Sequence, residues 1–159
     1  MSVSLNRGYL QVGRFRGAPV RLHWTILVGA AVMTRLHFVP GSWIGVFLIL
    51  LAHEIGHALL ADHFGLLVIG IDVNGFGGSC TVAGTPTRRQ HAVIAWGGVL
   101  AQAALLVATL AVLAVSGWPA EGFFADLADA FTWSNAGLIA LNLLPIPPLD
   151  GAEAWKILR

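Results

Sequence analysis

Residues 53–63 read HEIGHALLADH. His53 and His57 are four apart, and Glu54 follows the first. On a helix, positions i and i+4 share a face. Two imidazole nitrogens can therefore meet one Zn²⁺, with Glu54 beside them as general base, the H-E-x-x-H spacing of zinc hydrolases. A catalytic zinc takes a third protein ligand and keeps its fourth position for water. His63 is the first candidate, because the stretch nearly matches the longer pattern H-E-x-x-H-x-x-G-x-x-H. However, Leu60 stands where that pattern has Gly, and Ala58-Leu59-Leu60-Ala61 are strong helix formers. In an unbroken helix His63 lies roughly 15 Å along the axis from His53 and about 80° round. It reads better as an interfacial residue at the helix end. Asp150 is the stronger candidate. It follows a Pro-rich break in NLLPIPPLDG, residues 142–151. Read alone, it is an ordinary Asp-Gly turn residue.

The elements that must position these groups are apolar. The 159 residues are 57% hydrophobic and 11% charged, with a mean hydropathy of +0.77. Soluble chains carry about 25% charged residues, so a single integral membrane domain over residues 1–159 is expected. The net charge of +1 gives no reason to invoke nucleic acid. Six Trp suit membrane interfaces. Cys80 is the lone cysteine and reads as a small packing residue. No signal peptide is expected, because residues 1–21 carry four Arg and lack a suitable apolar core.

About four transmembrane helices are predicted, near Leu22–Val39, Trp43–Phe64, His91–Val115 and Phe124–Leu144. The tail after Asp150 looks like the start of a fifth. Arg7, Arg14, Arg16, Arg21, Arg88, Arg89, Lys156 and Arg159 fall on one side. The loops 40–42 and 116–123 carry neither Lys nor Arg. Lys/Arg bias marks the cytoplasmic side, so both termini are expected there; in a prokaryote the membrane would be the cell membrane. Arg35 dissents and can snorkel to the outer interface. Residues 9–24 suggest a short hairpin at the cytoplasmic face, within or beside a strand segment at 1–21. Residues 66–82, with an Asn74-Gly75 turn, suggest a second hairpin dipping into the protein beside the HEIGH helix. The His pair and Asp150 then arrive at similar depth. A charged or titrating group at a helix centre costs on the order of 3 kcal/mol, so His53, Glu54 and His57 need interior partners. The plain alternative is a hydrogen-bonded cluster joining helices.

HEIGH in an apolar helix, followed about ninety residues later by N-x-x-P-x-P-P-x-D-G, resembles the site-2 protease family of intramembrane zinc metalloproteases. GRFRGAPVRLHW is similar to the family's strand leading into its first helix, and Phe76-Gly77-Gly78 to its membrane-dipping hairpin. The resemblance covers most of the chain. It implies one zinc per chain on His53, His57 and Asp150, with Glu54 as base. It also implies a substrate-holding region at Asn142, Pro145 and Pro148. Asn142 has a plainer reading as a polar cap near a helix end, and Asn135, seven residues earlier, can extend a polar lining. Two motifs depart from the pattern the family often shows. Gly98-Val99-Leu100-Ala101-Gln102 stands for Gly-Pro-x-x-Asn, and Asp150-Gly151-Ala152 for Asp-Gly-Gly. Gln102 can replace the Asn as a hydrogen-bonder. Gly97, Ala101, Ala104 and Ala108 suit close helix packing, and His23, His37 and His91 suit interfaces.

The implied activity is hydrolysis of peptide bonds in or near transmembrane segments of protein substrates in the lipid bilayer, as in regulated intramembrane proteolysis. A homo-oligomer is left open. Two rivals share the composition. A non-catalytic binder of transmembrane segments has no need of Glu54. A metal transporter needs a polar path on both sides of the site, and residues 43–52, WIGVFLILLA, offer none on one side.

Overall fold

The structure, a computed structural model, describes residues 8–158. Residues 1–7 of the expected strand segment, and the charges of Arg7 and Arg159, lie outside them. Strands β1 (Tyr9–Phe15) and β2 (Ala18–His23) lead into helix α1 (Ile26–Met33) and the long helix α2 (Pro40–His63). The hairpin β3 (Leu67–Asn74) and β4 (Gly77–Ala83) follows, then α3 (Arg88–Ser116). The last helical stretch is composite: α4 (Phe123–Asp129), a π-helical segment (Ala130–Ser134) and α5 (Asn135–Asn142). A short α6 (Gly151–Ala154) and a 3₁₀ turn (Trp155–Leu158) close the described chain.

Helix α2 begins on Pro40, whose missing N–H is no loss in a first turn. It runs unbroken past the HEIGH to His63. Gly65 then takes a left-handed φ of 72°. The Leu66 N–H reaches the Ala61 carbonyl at 3.0 Å, and the Gly65 N–H reaches that of Asp62 at 2.8 Å. These two bonds make the glycine stop that satisfies a helix's last carbonyls. Helix α3 opens on a capping box: the Gln90 N–H donates to Thr87 Oγ1 at 3.3 Å, and the Thr87 N–H donates to Gln90 Oε1 at 2.8 Å. The two long helices touch backbone to backbone. A Cβ on Gly56 would strike the Gly97 carbonyl, and one on Gly97 the Gly56 carbonyl at 2.5 Å. Near the start of α2, Gly41 and Gly45 face Phe123 and Ala130 of the composite helix.

The two expected hairpins form one sheet, in the order β1-β2-β3-β4. The β2–β3 pair is parallel, with Val20 opposite Ile71 and Leu22 opposite Val73. Arg21 and Asp72, also opposite, form a two-pronged ion pair at 2.5 and 2.7 Å. Val20, Val68, Ile71 and Val73 bury one face of the sheet on Ala58 and Ala61, at the His63 end of α2.

The first expected span differs from what is found. Leu22 and His23 belong to β2, and α1 has eight residues, about 12 Å long. That is well short of the roughly 30 Å hydrocarbon core. The run of apolar residues is continuous, but the sheet recruits its first two. The Thr34 hydroxyl bonds back to the Ala30 carbonyl at 2.9 Å, and Arg35 and Leu36 take positive φ, which ends the helix. Helices α2 and α3 are each long and apolar enough to cross a membrane. The expected fourth span is the composite stretch 123–142, interrupted by its π segment.

Candidate metal centre

Four elements build the site. Helix α2 supplies His53, Glu54 and His57, all buried. His53 Nε2 and His57 Nε2 lie 3.0 Å apart. Asp150 Oδ2 lies 2.8 Å from the first and 3.2 Å from the second. Ligands at about 2.0–2.1 Å in a tetrahedron stand about 3.3–3.4 Å from one another, so these three atoms have nearly the spacing of a metal's ligand face.

The outward ring nitrogens explain why the three atoms face each other. His53 Nδ1 is 3.1 Å from Gln102 Oε1, and His57 Nδ1 is 2.8 Å from the Ile94 carbonyl. Both partners accept, so both Nδ1 atoms carry the hydrogen and both Nε2 atoms present a lone pair. Asp150 Oδ2 has no hydrogen-bond partner among the described residues, although two imidazoles adjoin it. Three electron-rich atoms thus converge with no hydrogen of their own between them, and the donor set fits a borderline divalent cation.

Small residues make this approach possible. A Cβ on Gly98 of α3 would run into the His53 ring, so α3 can cross there only without one. A Cβ on Gly151 would meet the Leu143 carbonyl at 2.5 Å, so the Pro-rich loop folds back tightly behind Asp150. The tail is pinned by two indoles. Trp96 Nε1–H donates to the Ala154 carbonyl at 3.2 Å, and Trp155 Nε1–H to that of Leu143 at 2.7 Å. Sequence reasoning missed both indoles, since a Trp in an apolar chain reads as a membrane-interface residue.

The Glu54 carboxyl group lies against Gly78 of β4. A Cβ on Gly78 would collide with it, and Glu54 Oε2 is buried with no partner among the described residues. Two cavities, of about 290 and 260 Å³, share Glu54, Gly78, Pro148, Leu149 and Asp150. The first extends past Phe76 to Asn142 and Leu138, and the second past Ser79 to His91 and Glu153. A cleft therefore passes the metal centre between β4, an edge strand, and the Pro-rich loop.

Of the residues singled out by sequence, His53, His57 and Asp150 come together, Glu54 adjoins them, and Asn142 and Pro148 line the first cavity. Pro145 is exposed and lines neither. The π segment takes up one extra residue, which turns everything after it by about 100° and helps aim Asn135 and Asn142 inward. No pattern in residues 130–134 announces it. His63 is exposed, at the far end of an unbroken helix. His63→Ala is accordingly expected to bind metal within about twofold of wild type, as an exposed substitution away from any site does. Competition with a chromogenic chelator measures this, and a larger loss would show that α2 breaks after His57.

No protein-family profile matches the chain. Among curated proteins it is similar to Stage IV sporulation protein FB of Bacillus subtilis, at 32% identity over 71% of this chain and 38% of that one. It is also similar to putative zinc metalloprotease Rip3 of Mycobacterium tuberculosis, at 31% identity over 92% of this chain and 42% of that one. The chain thus spans less than half the length of these relatives. Among solved structures, the site-2 protease of Methanocaldococcus jannaschii shares the fold, with a TM-score of 0.66 and 22% identity over 94% of this chain and 71% of that one. With these relatives, this fold, and HEIGH converging on an aspartate from a Pro-rich loop, the chain belongs to the site-2 protease family of intramembrane zinc metalloproteases.

Proposed function

We propose that the chain is a zinc-dependent endopeptidase that hydrolyses peptide bonds in or near transmembrane segments of membrane-protein substrates. The observation that carries this is the convergence of two imidazole Nε2 atoms and one carboxylate oxygen beside an unpartnered glutamate, at the middle of a cleft. His53, His57 and Asp150 would hold one zinc. When bound, the zinc supplies Lewis acidity, which makes water nucleophilic near neutral pH and polarises a carbonyl.

The other steps belong to the protein. Glu54 takes a proton from the attacking water and passes it to the leaving amide nitrogen. A helical substrate hides its carbonyls in its own hydrogen bonds, so it must unwind to an extended strand. Among the described residues, strand β4 is an edge of the sheet, and such an edge can add a strand. Asn142 and Pro148, with Pro145 behind them, would close on it from the other side. Residues 1–159 act as one domain. Four elements lie in the bilayer: the α1 region, α2, α3 and the composite helix. The sheet dips in from the cytoplasmic side, and both termini lie on that side. The lipid bilayer and the transmembrane substrate are its partners.

Chelation tests this reading. The purified chain, reconstituted in vesicles with a single-span substrate, should lose cleavage on treatment with 1,10-phenanthroline and regain it when zinc is restored. Cleavage indifferent to the chelator would overturn it.

A further inference from the structure

Helix α3 carries Gln102, which is completely buried. Its Oε1 is 3.1 Å from His53 Nδ1. Behind it lies Asn135, also completely buried, whose Nδ2–H donates to the Gln102 main-chain carbonyl at 2.9 Å. Two fully buried carboxamides in apolar helices are costly unless they do something. One Gln102 Nε2 and one Asn135 Oδ1 are even left without a partner among the described residues, so packing stability does not account for them. The bond that Gln102 does make falls on the atom that decides how His53 behaves. A neutral imidazole carries one hydrogen. If an acceptor holds it on Nδ1, Nε2 is a lone pair free to bind metal; if it sits on Nε2, the face toward His57 and Asp150 is blocked.

We infer that Gln102 is a positioning residue that fixes His53 as the Nδ1–H tautomer and aims its Nε2 at the metal centre, with Asn135 holding Gln102 in place across the α3–α5 contact. This inference rests on the zinc site proposed above, and it assigns a role to the position where the chain departs from its family's Gly-Pro-x-x-Asn. His57 needs no such side chain, because the Ile94 carbonyl does the same for it. The role calls for an acceptor at Oε1, and the amide's NH₂ contributes nothing to it.

That asymmetry gives the test. Zinc affinity is measured by chelator competition on the purified chain, for wild type, Gln102→Met and Gln102→Glu. Met keeps the volume and removes the acceptor, and it should weaken zinc about 10–100-fold, as loss of an outer partner of a metal-bound histidine does. Glu keeps the acceptor and loses the NH₂, and it should bind zinc as wild type does or more tightly. Equal weakening in both would show that Gln102 serves packing, and wild-type affinity in Gln102→Met would show that His53 needs no anchor. A second measurement avoids variants that fold poorly. In metal-free wild-type protein with ¹⁵N-labelled histidine, the neutral His53 ring should show a protonated Nδ1 and an unprotonated Nε2. An unprotonated Nδ1 would overturn the inference. If zinc binding is unchanged even in Asp150→Ala, the proposed zinc site fails, and that result is distinct from a failure at Gln102 alone.

Discussion

Glu54→Gln removes hydrolysis and leaves the metal in place. The expected fall in kcat is about 10²–10⁴-fold, the usual worth of a positioned general acid–base group. Gln keeps the volume and a carbonyl oxygen at this site, so the cleft beside Gly78 should hold its shape. What it loses is the ability to take up a proton. Glu54 is no part of the three-atom convergence, which is made by His53, His57 and Asp150. Metal content per chain should therefore match wild type. The pair of readouts separates the account from its rivals. A binder of transmembrane segments, or a transporter, would keep its activity in this variant. If metal and activity fell together, Glu54 would be a ligand and the third donor would have to be reassigned.

Asp150→Ala loses the metal, and activity with it. The carboxylate is one of three donors, so its removal should weaken zinc by more than about 100-fold, since even an outer partner of a ligand is worth 10–100-fold. Two further arguments support a large effect. Without Asp150 Oδ2, two imidazole lone pairs 3.0 Å apart would face each other with no anion to share a cation. The substitution also leaves the backbone turn alone, because Gly151 and the Trp155–Leu143 bond fix the loop behind it. Metal analysis after dialysis reads the outcome. Retention at wild-type affinity would mean that Asp150 is the ordinary turn residue its Asp-Gly context suggests.

The juxtaposition of HEIGH and Asp150 was legible because two local rules meet there. Spacing i, i+4 puts both His on one face, and Ala58 to Ala61 keep the helix running, which leaves His63 too far away. A Pro-rich break then brings a carboxylate to the same depth. The sheet was half legible. Each hairpin has its own turn signal, but the parallel join of β2 to β3 is made across α1 and α2, and nothing local encodes it. The same join shortened α1, since a count of apolar residues does not tell a strand in a ladder from the start of a span. Gln102 was visible only as an odd residue in a family position. Its bond to His53 depends on the close crossing at Gly56, Gly97 and Gly98, which is a property of two helices together.

The central claim is that this chain cuts peptide bonds within the membrane, and one comparison tests it most directly. Wild type and Glu54→Gln are reconstituted side by side with a single-span substrate, and the products are mapped by mass spectrometry. The account predicts a new pair of termini in or at the edge of the substrate's apolar segment with wild type, and intact substrate with the variant. An intact substrate in both, or the same cut in both, would contradict it.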